Sequence, residues 1–292
     1  MIKIGLIGTQ SMHAWSFAQV CNCPDEDGNF RFPGVRVIAA FGVDDTQEHL
    51  RMTLEKGRIP ISVSSLEELF EHCNAFMVLQ RNGREHLKYA EEVIKGGFPV
   101  FIDKPVCCTA EDMRSLQRLA ETNKVIICGG SSLKYNKQIV ALKKQLDDLA
   151  FGQIKGATIN HSADIDSPYD GIFFYLPHAV EMMLELFGYD PISLRTTVLA
   201  HNNFTVCVKY DDYIVNLAIN GSAPTFVVVH AKDSEVVRID DSDVFVESMR
   251  HFVDTIRRKQ VMRDTYKLTR HVAVILAVNE SIKTNQEVRI GK

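Results

Sequence analysis

The sequence predicts a two-domain chain of mixed class, α/β followed by α+β. A Rossmann-like parallel-sheet domain is expected over residues 1–130. An open antiparallel-sheet domain with helices on one face is expected over residues 131–292. Three observations carry this. Short apolar runs alternate with amphipathic stretches through the first 130 residues, the pattern of βαβ units. Those runs are hydrophobic almost throughout, as strands covered by helices on both faces are. Beyond residue 150 the pattern changes to alternating strands joined by tight turns.

The elements follow in order. Residues 3–7 form a strand that runs into Gly8, and further strands are expected at 35–41, 59–63, 75–79, 100–102 and 125–128. Helices fill the gaps. Ser64-x-x-Glu67 and Thr109-x-x-Asp112 have the capping-box pattern that opens two of them. Gly96-Gly97 supplies a left-handed stop for a helix over 84–95. Residues 21–34, dense in turn formers, read as an exposed loop. A helix over 136–149, ended by Gly152, leads into strands at 153–161, 193–200, 204–210, 213–219, 226–231 and 235–239. Asp211-Asp212 and Lys232-Asp233-Ser234 are the hairpin turns of what reads as an antiparallel meander. A helix over 176–187 interrupts it, and helices over 244–259 and 266–284 follow.

Composition excludes several partners. A net charge of −4 gives no general attraction for nucleic acid or an anionic membrane. No segment reaches the roughly 18 apolar residues needed to span a bilayer. Met1 to Gly8 read directly as a strand entering a turn, which leaves no room for a secretory signal, so a cytoplasmic protein is expected. The seven cysteines fit neither zinc-ligand nor redox-pair spacings. Reduced thiols and no metal are expected, although Cys107 and Cys108 lie close to Lys104.

The residues with chemical potential sit at strand ends. The apolar run Phe98-Pro99-Val100-Phe101-Ile102 stops abruptly at Asp103-Lys104-Pro105, which puts two opposite charges at the mouth of a buried strand. In open α/β sheets ligands bind beyond the carboxyl ends of strands, so Lys104 is placed where chemistry would occur. Proline then disfavours helix at the preceding residue and fixes the turn. After the first strand, Gly8-Thr9-Gln10-Ser11-Met12-His13 carries the first glycine of the dinucleotide fingerprint but neither the second nor the third. The second strand runs into Gly42-Val43-Asp44-Asp45, where either aspartate would hold a ribose hydroxyl and repel a 2′-phosphate, or Asp45 or Thr46 would cap the next helix.

The run from Ala75 to Leu142 resembles the corresponding part of the glucose-fructose oxidoreductase / inositol dehydrogenase / rhizopine-catabolism family, Gfo/Idh/MocA. The pieces are Phe76-Met-Val-Leu79, His86, Gly96-Gly97, Asp103-Lys104-Pro105 where the family has Glu-Lys-Pro, and Gly130-Ser-Ser-Leu-Lys134-Tyr135-Asn136. Phe252-Val253-x-x-Ile256 and Ala273-Val-x-x-Ala277-Val-x-x-Ser281 look like its closing helices. The resemblance implies NAD or NADP as cofactor, NAD being favoured by the acidic pair. It also implies a sugar, polyol or related hydroxy compound as substrate, and a homo-oligomer formed through the second sheet. By the same resemblance Lys104 contacts the oxidised hydroxyl and Asp103 lies near nicotinamide. The cofactor set implied is Gly8, Thr9, Gln10, His13, Asp44, Gln80, Arg81, His86, Asp103 and Lys104.

The family's second catalytic element is a histidine with an acid four residues ahead, a position matched here by His178. Phe174 stands where that acid is expected, and Glu181, three residues after the histidine, would orient the imidazole or raise its pKa. Tyr175 is the substitute hydrogen bonder, so Lys104, His178 and Tyr175 are the catalytic candidates. Lys134, Tyr135 and Phe174 join Lys104 and His178 as substrate-site residues. Two other readings accompany this one. The missing glycines and Phe174 fit a noncatalytic homologue that binds a ligand or an assembly partner. Phe174 and Tyr175 around an apolar pocket fit a biliverdin-reductase-like enzyme.

Overall fold

The computed structural model describes residues 1–43, 45–221, 224–259 and 265–291. Asp44, one of the expected cofactor residues, lies outside them. The chain forms two compact units. The first comprises Met1–Cys107, Glu111–Gly130 and Phe245–Thr265, and the second Cys108–Ala110, Ser131–Val244 and Tyr266–Lys292. Residues 245–265 thus return to the first unit, and the second is not one continuous segment.

In the first unit the order is β1 (Ile2–Ile7), α1 (Met12–Asn22), β2 (Val35–Phe41), α2 (Gln47–Gly57), β3 (Ile61–Val63), α3 (Leu66–His72), β4 (Ala75–Val78), α4 (His86–Lys95), β5 (Val100–Asp103), α5 (Ala110–Asn123) and β6 (Ile127–Gly130). The six strands are all parallel, in the order β3-β2-β1-β4-β5-β6. The order reverses between β1 and β4, and the loops leaving those two strands flank the switch point where such sheets bind ligands. Strand residues Ile4, Leu6, Phe76, Met77 and Phe101 are fully buried, as is Phe17 of α1, which meets Phe101 edge to face at 5.4 Å. Each such side chain contributes about 1.5–3 kcal/mol by leaving water.

Two helix ends refine the sequence reading. Ser65 rather than Ser64 caps α3, accepting from Glu68 N at 3.3 Å, while Glu68 reaches back to Ser64 N at 2.8 Å. The Ser64-Ser65 and Glu67-Glu68 doublets make the two registers look alike in sequence. At the end of α4, Gly97 takes φ +78° and the Phe98 and Gly97 amides donate to Val93 and Ile94 carbonyls at 3.2 and 3.0 Å. This is a Schellman stop, which needs the left-handed residue that glycine supplies without strain.

In the second unit α6 (Lys137–Asp147) precedes β7 (Gly156–His161), α7 (Leu176–Phe187), β8 (Ser193–Ala200), β9 (Asn203–Lys209), β10 (Ile214–Asn220), β11 (Phe226–His230) and β12 (Glu235–Arg238). Helix α9 (Tyr266–Thr284) and β13 (Val288–Arg289) complete this unit, whereas α8 (Val244–Arg257), which precedes them in the chain, belongs from Phe245 onward to the first. The sheet order is β12-β11-β7-β10-β9-β8-β13. The expected pure meander is corrected here: β7 and β10 pair parallel, Gly156 facing Ile214 and His161 facing Ile219. The chain leaves β7 for α7 instead of turning back, so β7 gains its neighbours from later in the sequence. One face is core, with Phe204, Val206, Val208, Val215, Leu217 and Ile219 buried, and the intervening residues leave the other face open. No described helix is long and apolar enough to cross a membrane.

Candidate functional site

The first unit gathers its polar residues at the carboxyl ends of β1, β4 and β5. Gly8 turns with φ +91°, and a Cβ there would come 2.8 Å from the backbone nitrogen of Gln80, so only glycine fits. Thr9 is buried; its amide donates to Asp45 Oδ2 at 2.6 Å and its hydroxyl donates to the same oxygen. Burial pushes the Asp45 carboxyl above its ordinary value, against the pull of those hydrogen bonds. Asp45 therefore neither caps α2, which Thr46 does by accepting from His49 N, nor stands free at the strand end. Arg81 donates to the Gln10 carbonyl, tying the loop after β4 to the loop after β1. Ser11 caps α1 and accepts from His13 N at 3.2 Å.

The Asp103-Lys104-Pro105 turn is held from two sides. His13 Nδ1 donates to Asp103 Oδ2 at 2.6 Å, and Phe245 and Phe17 pack edge-on around the imidazole at 5.1 and 6.4 Å. His86, expected among the cofactor residues, is fully buried with both ring nitrogens engaged, Nδ1 by the Pro105 carbonyl at 2.7 Å and Nε2 by that of Gln80 at 2.8 Å. It braces the turn from within. Lys104 is buried, and its bond to Pro105 is cis. Cys107 is inert: burial pushes its thiol well above the ordinary range.

Burial opposes ionisation of Asp103, but His13, then Lys104 and His86, outweigh it and hold the carboxyl below its ordinary value of 3.8. A depressed folded-state pKa stabilises the fold above the unfolded value and loses that contribution as pH falls through the folded one. His13→Ala removes the largest compensating partner. The variant is expected to unfold at a higher pH than wild type in an acid titration followed by circular dichroism, and an unchanged midpoint would refute the pairing.

The second unit builds a different cluster around the start of α7. Ser131, directly after β6, donates its amide to Glu181 Oε1 at 2.9 Å, and its hydroxyl lies 2.7 Å from His178 Nδ1. Lys134, in the 3₁₀ turn Ser132–Tyr135, donates to Glu181 Oε2 at 2.7 Å. Burial disfavours the Lys134 charge, yet Glu181, helped by Tyr135 and Tyr189, raises its pKa above the ordinary value. His271 of α9 lies 3.7 Å from Glu181; burial holds its pKa down and its ring neutral. The ring of His161, at the end of β7, stands 5.5 Å from that of His178, and Thr225 Oγ1 is 2.8 Å from His161 Nδ1.

Thus the carboxylate expected to orient His178 serves Ser131 and Lys134, and the hydroxyl of Ser131 contacts the ring. Lys134, expected in the substrate site, has its ammonium against Glu181. Tyr135 is half-buried, its ring 5.1 Å from the Lys134 ammonium. Tyr175 is 44% exposed, its ring 5.8 Å from His178, and Phe174 joins it and Tyr169 in an aromatic row. Sequence reading missed Ser131, His161 and His271 as members of this cluster. The available signal for the first two was position alone, at the carboxyl ends of β6 and β7. A cavity of about 370 Å³ lies at the other end of α7, against Leu186, Phe187 and Tyr213.

The first unit fits a dinucleotide. The Gln80 side-chain amide and Asp103 Oδ1 are buried without hydrogen-bond partners among the described residues. A parallel sheet with this strand order, its switch point between β1 and β4 and a glycine turn after β1 has the doubly wound Rossmann architecture. Residues 2–131 match the GFO_IDH_MocA model, described as an oxidoreductase family with an NAD-binding Rossmann fold. The match takes in the first unit's parallel sheet and ends at Ser131, so it is this part of the chain that is similar to the Gfo/Idh/MocA oxidoreductases.

A relative, inositol 2-dehydrogenase of Rhizobium meliloti (strain 1021), is 25% identical over 119 residues. The match spans 38% of this chain and only 36% of the relative's length. The fold extends further. The structure of scyllo-inositol dehydrogenase from Lactobacillus casei with bound NAD(H) and scyllo-inositol superposes with TM-score 0.83 at 14% identity, covering 100% of both chains. That of myo-inositol dehydrogenase from the same organism, in complex with NAD(H) and myo-inositol, gives 0.82 at 16% identity, over 100% of this chain and 97% of that one.

Proposed function

We propose that the protein transfers hydride between a nicotinamide dinucleotide, NAD in preference to NADP, and a CH–OH carbon of a sugar, polyol or related small hydroxy compound. The observation that carries this is a buried Lys104 directly beyond β5, in a sheet similar to that of the NAD-binding oxidoreductase family. The nicotinamide dinucleotide supplies or accepts the hydride when bound. Gly8, Gln80 and Asp103 are the residues that would hold it. The Lys104 ammonium stabilises the oxygen as charge develops on it and exchanges its proton. His178 hydrogen-bonds the substrate, with Tyr175 beside it. The inositols bound by the two Lactobacillus casei structures support a cyclic polyol as the first compound to try. We place the protein in the cytoplasm as a homo-oligomer built on the open face of the second sheet, where Ile214 of β10 is exposed.

The test is a titration with NAD and NADP followed by the fluorescence of Trp15, the chain's one tryptophan, and then a sugar and polyol screen read at the nicotinamide absorbance. Saturable binding of NAD and turnover of a hydroxy compound are expected. Absence of dinucleotide binding would defeat the reading. One observation favours a noncatalytic ligand-binding or assembly homologue instead: Asp45, a carboxylate of the protein's own, already holds the amide that follows Gly8. That reading predicts no binding in the same titration.

A further inference from the structure

His178 is held by a neutral hydroxyl, and the direction of that hydrogen bond follows from the hydroxyl's other contact. Leu133 N–H, which can only donate, points at Ser131 Oγ at 3.2 Å. Ser131 Oγ therefore accepts from Leu133. Ser131 is fully buried, and among the described residues the acceptor left for its own hydrogen is His178 Nδ1, 2.7 Å away. Glu181 fixes Ser131 by accepting its amide at 2.9 Å, and Lys134 in turn fixes Glu181. A carboxylate beside Nδ1 would draw the ring proton onto Nδ1 and leave Nε2 a base. No carboxylate stands four residues ahead of His178, where Phe174 sits. A hydroxyl that donates to Nδ1 has the opposite effect.

We propose that Ser131 is the positioning residue of His178 and holds its neutral ring as the Nε2–H tautomer, so that His178 offers the bound compound a hydrogen-bond donor instead of a lone pair. The ligand class this suits carries an acceptor oxygen, a ketone or a hydroxyl lone pair. The consequence for turnover rests on the oxidoreductase reading above: the resting imidazole takes no proton from a substrate hydroxyl, and in the oxidative direction that proton passes to Lys104 as the neutral amine, which becomes the ammonium.

The test is nitrogen NMR of full-length protein with ¹⁵N-labelled histidine, the His178 signals being assigned by their loss in His178→Gln. Wild type at neutral pH is expected to carry the proton on Nε2 with Nδ1 bare. Ser131→Thr should keep that state and Ser131→Ala should lose it. A wild-type ring protonated on Nδ1, or unchanged nitrogens in Ser131→Ala, overturns the proposal. The wild-type spectrum alone decides if Ser131→Ala does not fold. In turnover, Ser131→Ala should lower kcat about tenfold with little change in KM, the size of one hydrogen bond's effect, and Ser131→Thr should restore it. Failure of dinucleotide binding would remove the oxidoreductase reading and leave the tautomer measurable. Dinucleotide binding with an Nδ1–H ring would remove this proposal alone.

Discussion

Lys104→Met is expected to keep the fold and dinucleotide binding while turnover falls about 10³-fold or more. Removing one positioned charge or acid–base group from a developing oxyanion typically costs that much. The effect is large because Lys104 is buried, where a charge acts on a neighbouring oxygen with little screening by water. Methionine matches the lysine stem in shape and flexibility but neither donates nor carries charge. The fold tolerates the change because Asp103 keeps its hydrogen bond to His13 at 2.6 Å, and His86 still braces Pro105. A loss confined to the transition state lowers kcat and kcat/KM together and leaves the dinucleotide titration unchanged. Turnover within tenfold of wild type, in a variant whose circular dichroism is native, would end the assignment of Lys104.

The parts of this protein that were legible in its sequence are those set by local periodicity. Leu176–Phe187 and Tyr266–Thr284 fall where their apolar spacing put them, and each of the six parallel strands was visible as a short hydrophobic run. Partner choice was not visible. The alternation in β7 and in β10 says that each has one buried face, but nothing in either says that they lie side by side and parallel. The site shows the same division. Asp103-Lys104-Pro105 is contiguous and could be read; the pairing of Asp103 with His13 spans 90 residues and could not. His86 was visible as a titratable residue near the loop after β4, but its engagement by two carbonyls exists only once the sheet has formed. Ser131 looked like one of two ordinary serines after a strand. Its meaning depends on α7 bringing His178 to it from 47 residues away.

Lys134→Met is expected to destabilise the protein by about 3–5 kcal/mol, the range for a buried ion pair that loses one partner. Lys134 and Glu181 are 9% and 3% exposed, and with the ammonium gone Glu181 keeps the Ser131 amide as its close donor at 2.9 Å. A buried carboxylate with one hydrogen bond is poorly compensated. Lys134→Met with Glu181→Gln should recover most of the loss, because glutamine still accepts the Ser131 amide and carries no charge. The same double change with Glu181→Leu should recover less, since the amide is left without an acceptor.

The pH dependence has a definite sign. In wild type the Lys134 charge helps burial keep His271 neutral while Glu181 opposes both. Without Lys134, His271 is free to take a proton and stand as the counter-charge to Glu181 across 3.7 Å. The stability difference between Lys134→Met and wild type should therefore be smaller at pH 6 than at pH 8 in denaturant titrations. A single variant within about 1 kcal/mol of wild type at pH 8 would show that the pair contributes little, as exposed pairs do. A difference that grows toward pH 6 would show that His271 does not answer the missing charge.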